Sequence, residues 1–284
     1  MAADVRRIID THVHLNTAEA ISYLLPGYVE HTKKTLKIDM GKPIPLEDQV
    51  AEMRELNIIG WLLAAEAETT GAAFTQNPTK MIADAVHRYP DVFVGFASVD
   101  PNRGKAAEKD LRFWFNDGMK GLKLLPYMQC LYPNDPKTFP LLELCLEYNV
   151  PVVYHLGHCQ PVPGFSKYGQ PILLDDVAQK YPDLTIMGAH GGFPWMNEMY
   201  SVCWKHPNVY CDFADWNPRY LPDYFVKWMD GPLRHKVTFG TGGPVFPQRR
   251  SLEEVYKLPI RDETKEAVLY GNAERIHEKH HLPL

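Results

Sequence analysis

Cysteine is scarce: five in 284 residues, at Cys130, Cys145, Cys159, Cys203 and Cys211, an odd count with no two at Cys-x-x-Cys spacing. That pattern argues against a disulfide framework and against a structural zinc knuckle, and fits reduced thiols. Positive charge is not in excess either. Thirty Lys and Arg against 35 Asp and Glu leave a formal charge of −5, which argues against a general binder of nucleic acid or of a membrane surface. No stretch approaches the ~18 apolar residues of a membrane span. Residues 1–7 lead into an apolar run without the hydrophobic segment of a signal peptide, so the expected location is the cytoplasm. There is no repeat, linker or charge block to divide the chain, and one domain over residues 1–284 is expected.

What is present is apolar residue, at 45%, in short runs rich in Val, Ile and Phe. Eight strand candidates follow one another: 7–12, 58–65, 92–99, 121–125, 150–156, 184–190, 209–213 and 236–240. Most are almost continuously hydrophobic, as parallel strands covered on both faces are. Helical patterns lie between them at 46–56, 79–88, 105–115, 139–147, 173–180, 251–256 and 262–279. The 24 Pro and 19 Gly sit mostly at the joints. Alternation of this kind predicts a single (β/α)8 TIM barrel, with a doubly wound sheet as the other architecture. Residues 16–47 break the alternation and are expected as a long loop after strand one. At that place in a barrel it either caps the active site or is a solvated basic excursion.

Twelve histidines stand out, and four matter by position. His12 and His14, two apart at the end of strand one, leave the same face of an extended chain. His155 ends strand five and His190 ends strand six. In a barrel these strand ends ring one cavity, so four imidazoles are expected around one divalent metal ion. Zinc suits imidazole best, with manganese the alternative. His31 and His158 could face the same pocket, whereas His87, His206, His235, His277, His280 and His281 are expected to be solvated.

Ile9-Asp10-Thr11-His12-Val13-His14, Gly121 to Pro126, Pro151 to Gly157, Ala189-His190-Gly191-Gly192 and Gly271 to Ile276 together resemble the amidohydrolase superfamily. The similarity is to its amidohydrolase-2 branch of aromatic-acid decarboxylases, hydratases and lactonases. It implies that His12, His14 and His155 are metal ligands. It makes His190 the catalytic acid and base, or the group that holds the attacking water. Lys123 becomes either a substrate-binding group or a structural lysine paired with a carboxylate. It also allows a homodimer. The expected partner is a small carboxylated cyclic or aromatic substrate, against pocket walls that include Tyr127, Trp195 and Trp216, with Trp216 a substrate contact.

One position departs from the family pattern. Strand eight normally ends Gly-Thr-Asp, and this chain reads Gly240-Thr241-Gly242, with no side chain where the metal-binding carboxylate belongs. Three imidazoles around zinc remain a competent hydrolytic arrangement, with His190 within its titration range as a base. Asp215 is either a substitute carboxylate or a helix cap before Pro218. Gly242 marks a disabled variant, a natural three-histidine enzyme, or a barrel that has lost its metal. The last case gives the rival function, a catalytically silent barrel whose Thr241-Gly242-Gly243 backbone N–H groups bind a small anionic or phosphorylated ligand.

Overall fold

The computed structural model describes residues 6–24, 26–37, 39–70, 78–158, 164–243 and 246–284, and only the backbone of residues 26, 28, 31 and 36. Eight strands form in the predicted places: β1 Ile8–Val13, β2 Ile58–Leu63, β3 Phe93–Ser98, β4 Leu122–Leu124, β5 Val152–Tyr154, β6 Ile186–Gly188, β7 Val209–Asp212 and β8 Val237–Thr238. They pair in chain order, every pair parallel. The turn after β8 bonds back to β1: Thr11 N–H donates to Phe239 O at 2.8 Å, Gly242 N–H to His12 O at 2.8 Å and His14 N–H to Gly243 O at 2.7 Å. The sheet thus has no open edge along this seam, and the fold is a TIM barrel.

Alternation along the strands explains why the runs are apolar throughout. Ile9, Ile59, Trp61, Leu63, Val94 and Phe96 pack together inside the barrel. Their neighbours Ile58, Leu62, Phe93, Ala97, Leu122 and Val152 belong to the larger cluster beneath the helices. Both faces of every strand are therefore buried. Ala273, Ile276 and Leu282, in and after the last helix, join the inner cluster and plug its lower end.

Several details differ from the sequence reading. The stretch over 16–47 is not an irregular loop, because helices Ala18–Ser22 and Pro26–Leu36 occupy much of it. Two further helices, Met196–Lys205 and Asp223–Met229, follow β6 and β7. The expected continuous helix over 262–279 is split by a π-helical turn at Ala267–Gly271, where Val268 O accepts from Phe239 N–H at 2.8 Å and so supports β8.

His206, His277 and His280 are buried, not solvated. His206 Nε2 meets Asp175 Oδ1 at 2.6 Å. Trp61 Nε1–H donates to His277 Nε2 at 2.8 Å, and His277 Nδ1 donates to Pro283 O at 2.6 Å. His280 bonds Thr185 Oγ1 at 2.7 Å and Asn149 O at 2.9 Å. No described helix is long and apolar enough to cross a membrane.

Candidate functional site

A one-residue bulge in β1 aims the first two histidines. Asp10 pairs with Gly60 but Val13 with Leu62, so three steps along β1 match two along β2. Inward parity passes from Ile9 to His12 and His14, while Val13 packs outward under the helices. Asp10 fixes the bulge. Its carboxylate accepts from His12 N–H at 3.1 Å, Thr241 N–H at 3.0 Å, Thr241 Oγ1 at 2.6 Å and Gln248 Nε2 at 2.9 Å. Burial still raises its pKa to about 6 against these bonds.

Four imidazoles form an arc at the upper mouth of the barrel. Ring centroids are 5.2 Å apart for His14 and His12, 4.7 Å for His12 and His190, and 4.1 Å for His190 and His155. The sequence reading placed all four in one site, and they are together.

Hydrogen bonding then settles which nitrogen of each ring carries the proton. His12 Nδ1 donates to Asp212 Oδ2 at 3.0 Å and His14 Nδ1 to Leu63 O at 3.1 Å. His190 Nδ1 donates to Ala214 O at 3.0 Å, which leaves its Nε2 to accept from His155 Nδ1 at 3.0 Å. His155 Nε2 is buried and has no hydrogen-bond partner. His12, His14 and His155 therefore each carry the proton on Nδ1 and leave Nε2 unprotonated. Burial, with Lys123 and the neighbouring rings adding to it, holds His12 and His155 far below the usual imidazole range and His14 at about 4. His190 is likewise at about 4, mainly through burial, with Asp212 opposing. Neutral imidazoles with unprotonated nitrogens are what a divalent cation requires, and the orphaned Nε2 of His155 is the feature such an ion would satisfy.

Asp212, at the end of β7, is the group the sequence reading missed. His12, His190 and Asp212 bring donor atoms within 4.8 Å of one another. Both carboxylate oxygens are nevertheless already engaged: Oδ1 accepts from His190 N–H at 2.8 Å and Ala214 N–H at 3.0 Å, and Oδ2 takes His12 Nδ1–H. Asp212 thus fixes the ring of His12 and the backbone of His190, the place outer carboxylates commonly take beside metal-binding histidines. An aspartate ending a strand that flanks the histidine strands was the available signal.

Three rings of the arc, His14, His155 and His190, line a cavity of about 370 Å3, and His12 is not among its lining residues. Lys123 and Trp216 both line it, as does Tyr127, whereas Trp195 does not. Lys123 is 1% exposed and its Nζ lies 3.5 Å from His12 Nε2. The Tyr127 ring sits 4.4 Å from His155. The segment after β1 contributes Asn16, Ala20, Tyr23, Leu24, Thr32 and Met40 to the wall of the cavity. His158 reaches the cavity too, while the side chain of His31 lies outside the described residues.

Gly242 has φ +71, and its N–H is spent on His12 O. Gly243 N–H donates to Thr241 Oγ1 at 2.9 Å and Thr241 N–H to Asp10. These three amides are internally paired, which removes the basis for an anion-binding turn. Asp215 does not cap the helix at Pro218, because Asn217 Oδ1 accepts Arg219 N–H there at 3.2 Å. Its carboxylate instead lies 3.3 Å from His190 Nδ1 and lines the cavity.

The sequence model of the amidohydrolase family matches residues 9–277. The chain belongs to the amidohydrolase family. No curated protein matches it. Among solved structures, an uncharacterised TIM-barrel protein from Bordetella bronchiseptica superposes with a TM-score of 0.82 at 24% identity, covering 97% of this chain and 100% of that one. A probable 2-pyrone-4,6-dicarboxylic acid hydrolase from Acinetobacter baumannii, with citric acid bound, gives 0.66 at 15% identity over 96% and 100% of the two chains. A 5-carboxyvanillate decarboxylase from Novosphingobium aromaticivorans, with bound manganese, gives 0.66 at 16% over 96% and 97%. At these identities the likeness is one of fold. In this amidohydrolase-family barrel the histidine arc occupies the C-terminal strand ends, where such barrels place their chemistry.

Proposed function

We propose that this chain is a metal-dependent enzyme acting on a small carboxylated, cyclic or aromatic compound, by hydrolysis or by non-oxidative decarboxylation. One observation carries the reading. His12, His14 and His155 all spend Nδ1 on the protein, which leaves each Nε2 unprotonated; His14 and His155 line the cavity, and Lys123 Nζ lies 3.5 Å from the Nε2 of His12. These three residues would hold the ion, zinc by the preference of imidazole donors and manganese as the alternative. Once bound, a divalent cation supplies Lewis acidity toward a carboxylate, carbonyl or hydroxyl oxygen of the substrate.

The surrounding residues have separate tasks. Lys123 is the one Lys or Arg among the described residues lining the cavity, so it suits a substrate with a single carboxylate. Leu24, Met81, Ile82, Phe246 and Trp216 give the outer wall an apolar character that fits a ring and excludes water. His190 is the proton-transfer group. Its neutral ring can take a proton at Nε2 when the bond from His155 Nδ1 opens.

Metal analysis of the purified protein, combined with assays for carbon dioxide release and for ring opening on aromatic acids and lactones, tests the reading. Stoichiometric zinc or manganese that disappears in His155→Ala together with turnover supports it. A protein that binds neither ion, or that keeps full occupancy in both His12→Ala and His155→Ala, rules it out.

A further inference from the structure

We propose that Asp215, carried on the turn after β7, stands in for the side chain that Gly242 lacks and is the carboxylate facing the divalent cation in this chain. The inference rests on the reading of His12, His14 and His155 as the imidazole ligands.

The first support is positional. A Cβ added to Gly242 would lie 1.8 Å from Asp215 Oδ1 and 2.9 Å from its Cγ. The space into which a strand-eight side chain would grow is therefore already filled by an acidic oxygen. The turn after β7 thus delivers a carboxylate to this point of the cavity.

The second support is the way the two turns are built. Asp215 N–H donates to Thr241 O at 3.2 Å, which ties the turn after β7 to the turn after β8. Asp215 has φ +63 and Gly242 φ +71. Aspartate is among the few residues with a Cβ that enter this left-handed region readily. At Gly242 the missing Cβ is what allows the approach.

Position in the cavity wall is the third support. Asp215 Oδ2 lies 3.3 Å from His190 Nδ1, and the residue lines the cavity with His14, His155 and Lys123. The nearby Asp212 has both oxygens committed to the protein, and Asn217 performs the capping that Asp215 could otherwise serve. Three neutral imidazoles leave the charge of a divalent ion uncompensated, and a carboxylate at this point supplies one negative charge beside them.

The test is titration of the metal-free full-length protein with Mn2+ and, separately, Zn2+. It uses Asp215→Ala, Asp215→Asn, Gly242→Asp, the double variant Asp215→Ala/Gly242→Asp and the control His155→Ala, with thermal melting of each. Asp215→Ala and Asp215→Asn should weaken metal binding roughly tenfold or more while still melting cooperatively. Gly242→Asp alone should melt lower than the unsubstituted chain, because two carboxylates compete for one space. The double variant should regain metal affinity relative to Asp215→Ala and stability relative to Gly242→Asp.

If Asp215→Ala binds Mn2+ within about twofold of the unsubstituted chain while His155→Ala does not, the proposal falls and the imidazole site stands. Unchanged binding in His155→Ala removes both. Should Asp215→Ala fail to fold, the nearly isosteric Asp215→Asn decides by the same criterion. A folded double variant with no recovery of affinity overturns the positional equivalence.

Discussion

At the level of single residues, the site depends on groups that fix nitrogen lone pairs. Asp212 holds His12 as the Nδ1–H tautomer, and amide substitution there presents an N–H where an acceptor is needed. Asp212→Asn should turn His12 toward the other tautomer and weaken metal binding by about 10–100-fold, measured by titration, with little loss of helical signal. Unaltered affinity would mean that the bond does not set the tautomer. Gly242→Ala should lower stability, since its φ of +71 disfavours any Cβ and Asp215 Oδ1 stands 1.8 Å from it. In an Asp215→Ala background the steric part of that loss should vanish, so a double-mutant cycle of unfolding free energies would show coupling. The four histidines were legible because their spacing and strand-end positions are local facts. Asp212 was not, because it acquires its meaning from partners on other strands, and Asp215 could be read only as one of two alternatives, a substitute carboxylate or a helix cap.

Secondary elements show a similar division. The strands and most helices could be read from runs of apolar residues, as with Thr79–Arg88 and Phe139–Glu147, whose bounds are those expected. Helix Met196–Lys205 escaped that reading although Met196, Met199, Val202 and Cys203 are buried at helical spacing. The β1 bulge is invisible in the sequence, since it is a mismatch between two strands 50 residues apart.

Two substitutions test elements. Thr17 Oγ1 accepts from Ala20 N–H at 3.2 Å and caps the helix Ala18–Ser22 that walls the cavity. Thr17→Ala should cost about 1 kcal/mol locally, seen as faster amide exchange over residues 18–24 with the global melting temperature nearly unchanged. Trp61→Phe should leave buried His277 Nε2 without its donor and cost about 1–3 kcal/mol in global unfolding. A smaller loss would show that the last helix does not depend on this bond to plug the barrel.

For the whole molecule, buried titrating groups set the response to pH. Burial lowers His277 and His280 from 6.5 to about 4. The folded state then disfavours their protonation, so the stability they contribute is present above about 6.5 and is lost as pH falls toward 4. Glu66 runs the other way, raised from 4.5 to about 7 by burial against the pull of Arg103. Its contribution is complete below 4.5 and is lost as pH rises through about 7. The two trends oppose each other between pH 4.5 and 6.5 and flatten the profile. In urea unfolding across pH 4.5–8, His280→Gln should reduce the acid-side fall. Glu66→Gln should reduce the loss on the alkaline side, with Arg103 still paired to Asp110 at 2.8 Å. Profiles that superimpose on the unsubstituted chain would refute the assignment.

The sequence by itself determined the barrel and the convergence of four histidines, because strand periodicity and strand order are encoded along the chain. Its resemblance to the amidohydrolase family also marked Gly242 as a position where a carboxylate was expected. Only the tertiary structure decided which nitrogen of each imidazole carries the proton, that the excursion after β1 is helical and walls the cavity, and that an oxygen of Asp215 occupies the space beside Gly242. Those outcomes depend on contacts between strands distant in sequence, where a bond of about 3 Å decides the chemistry.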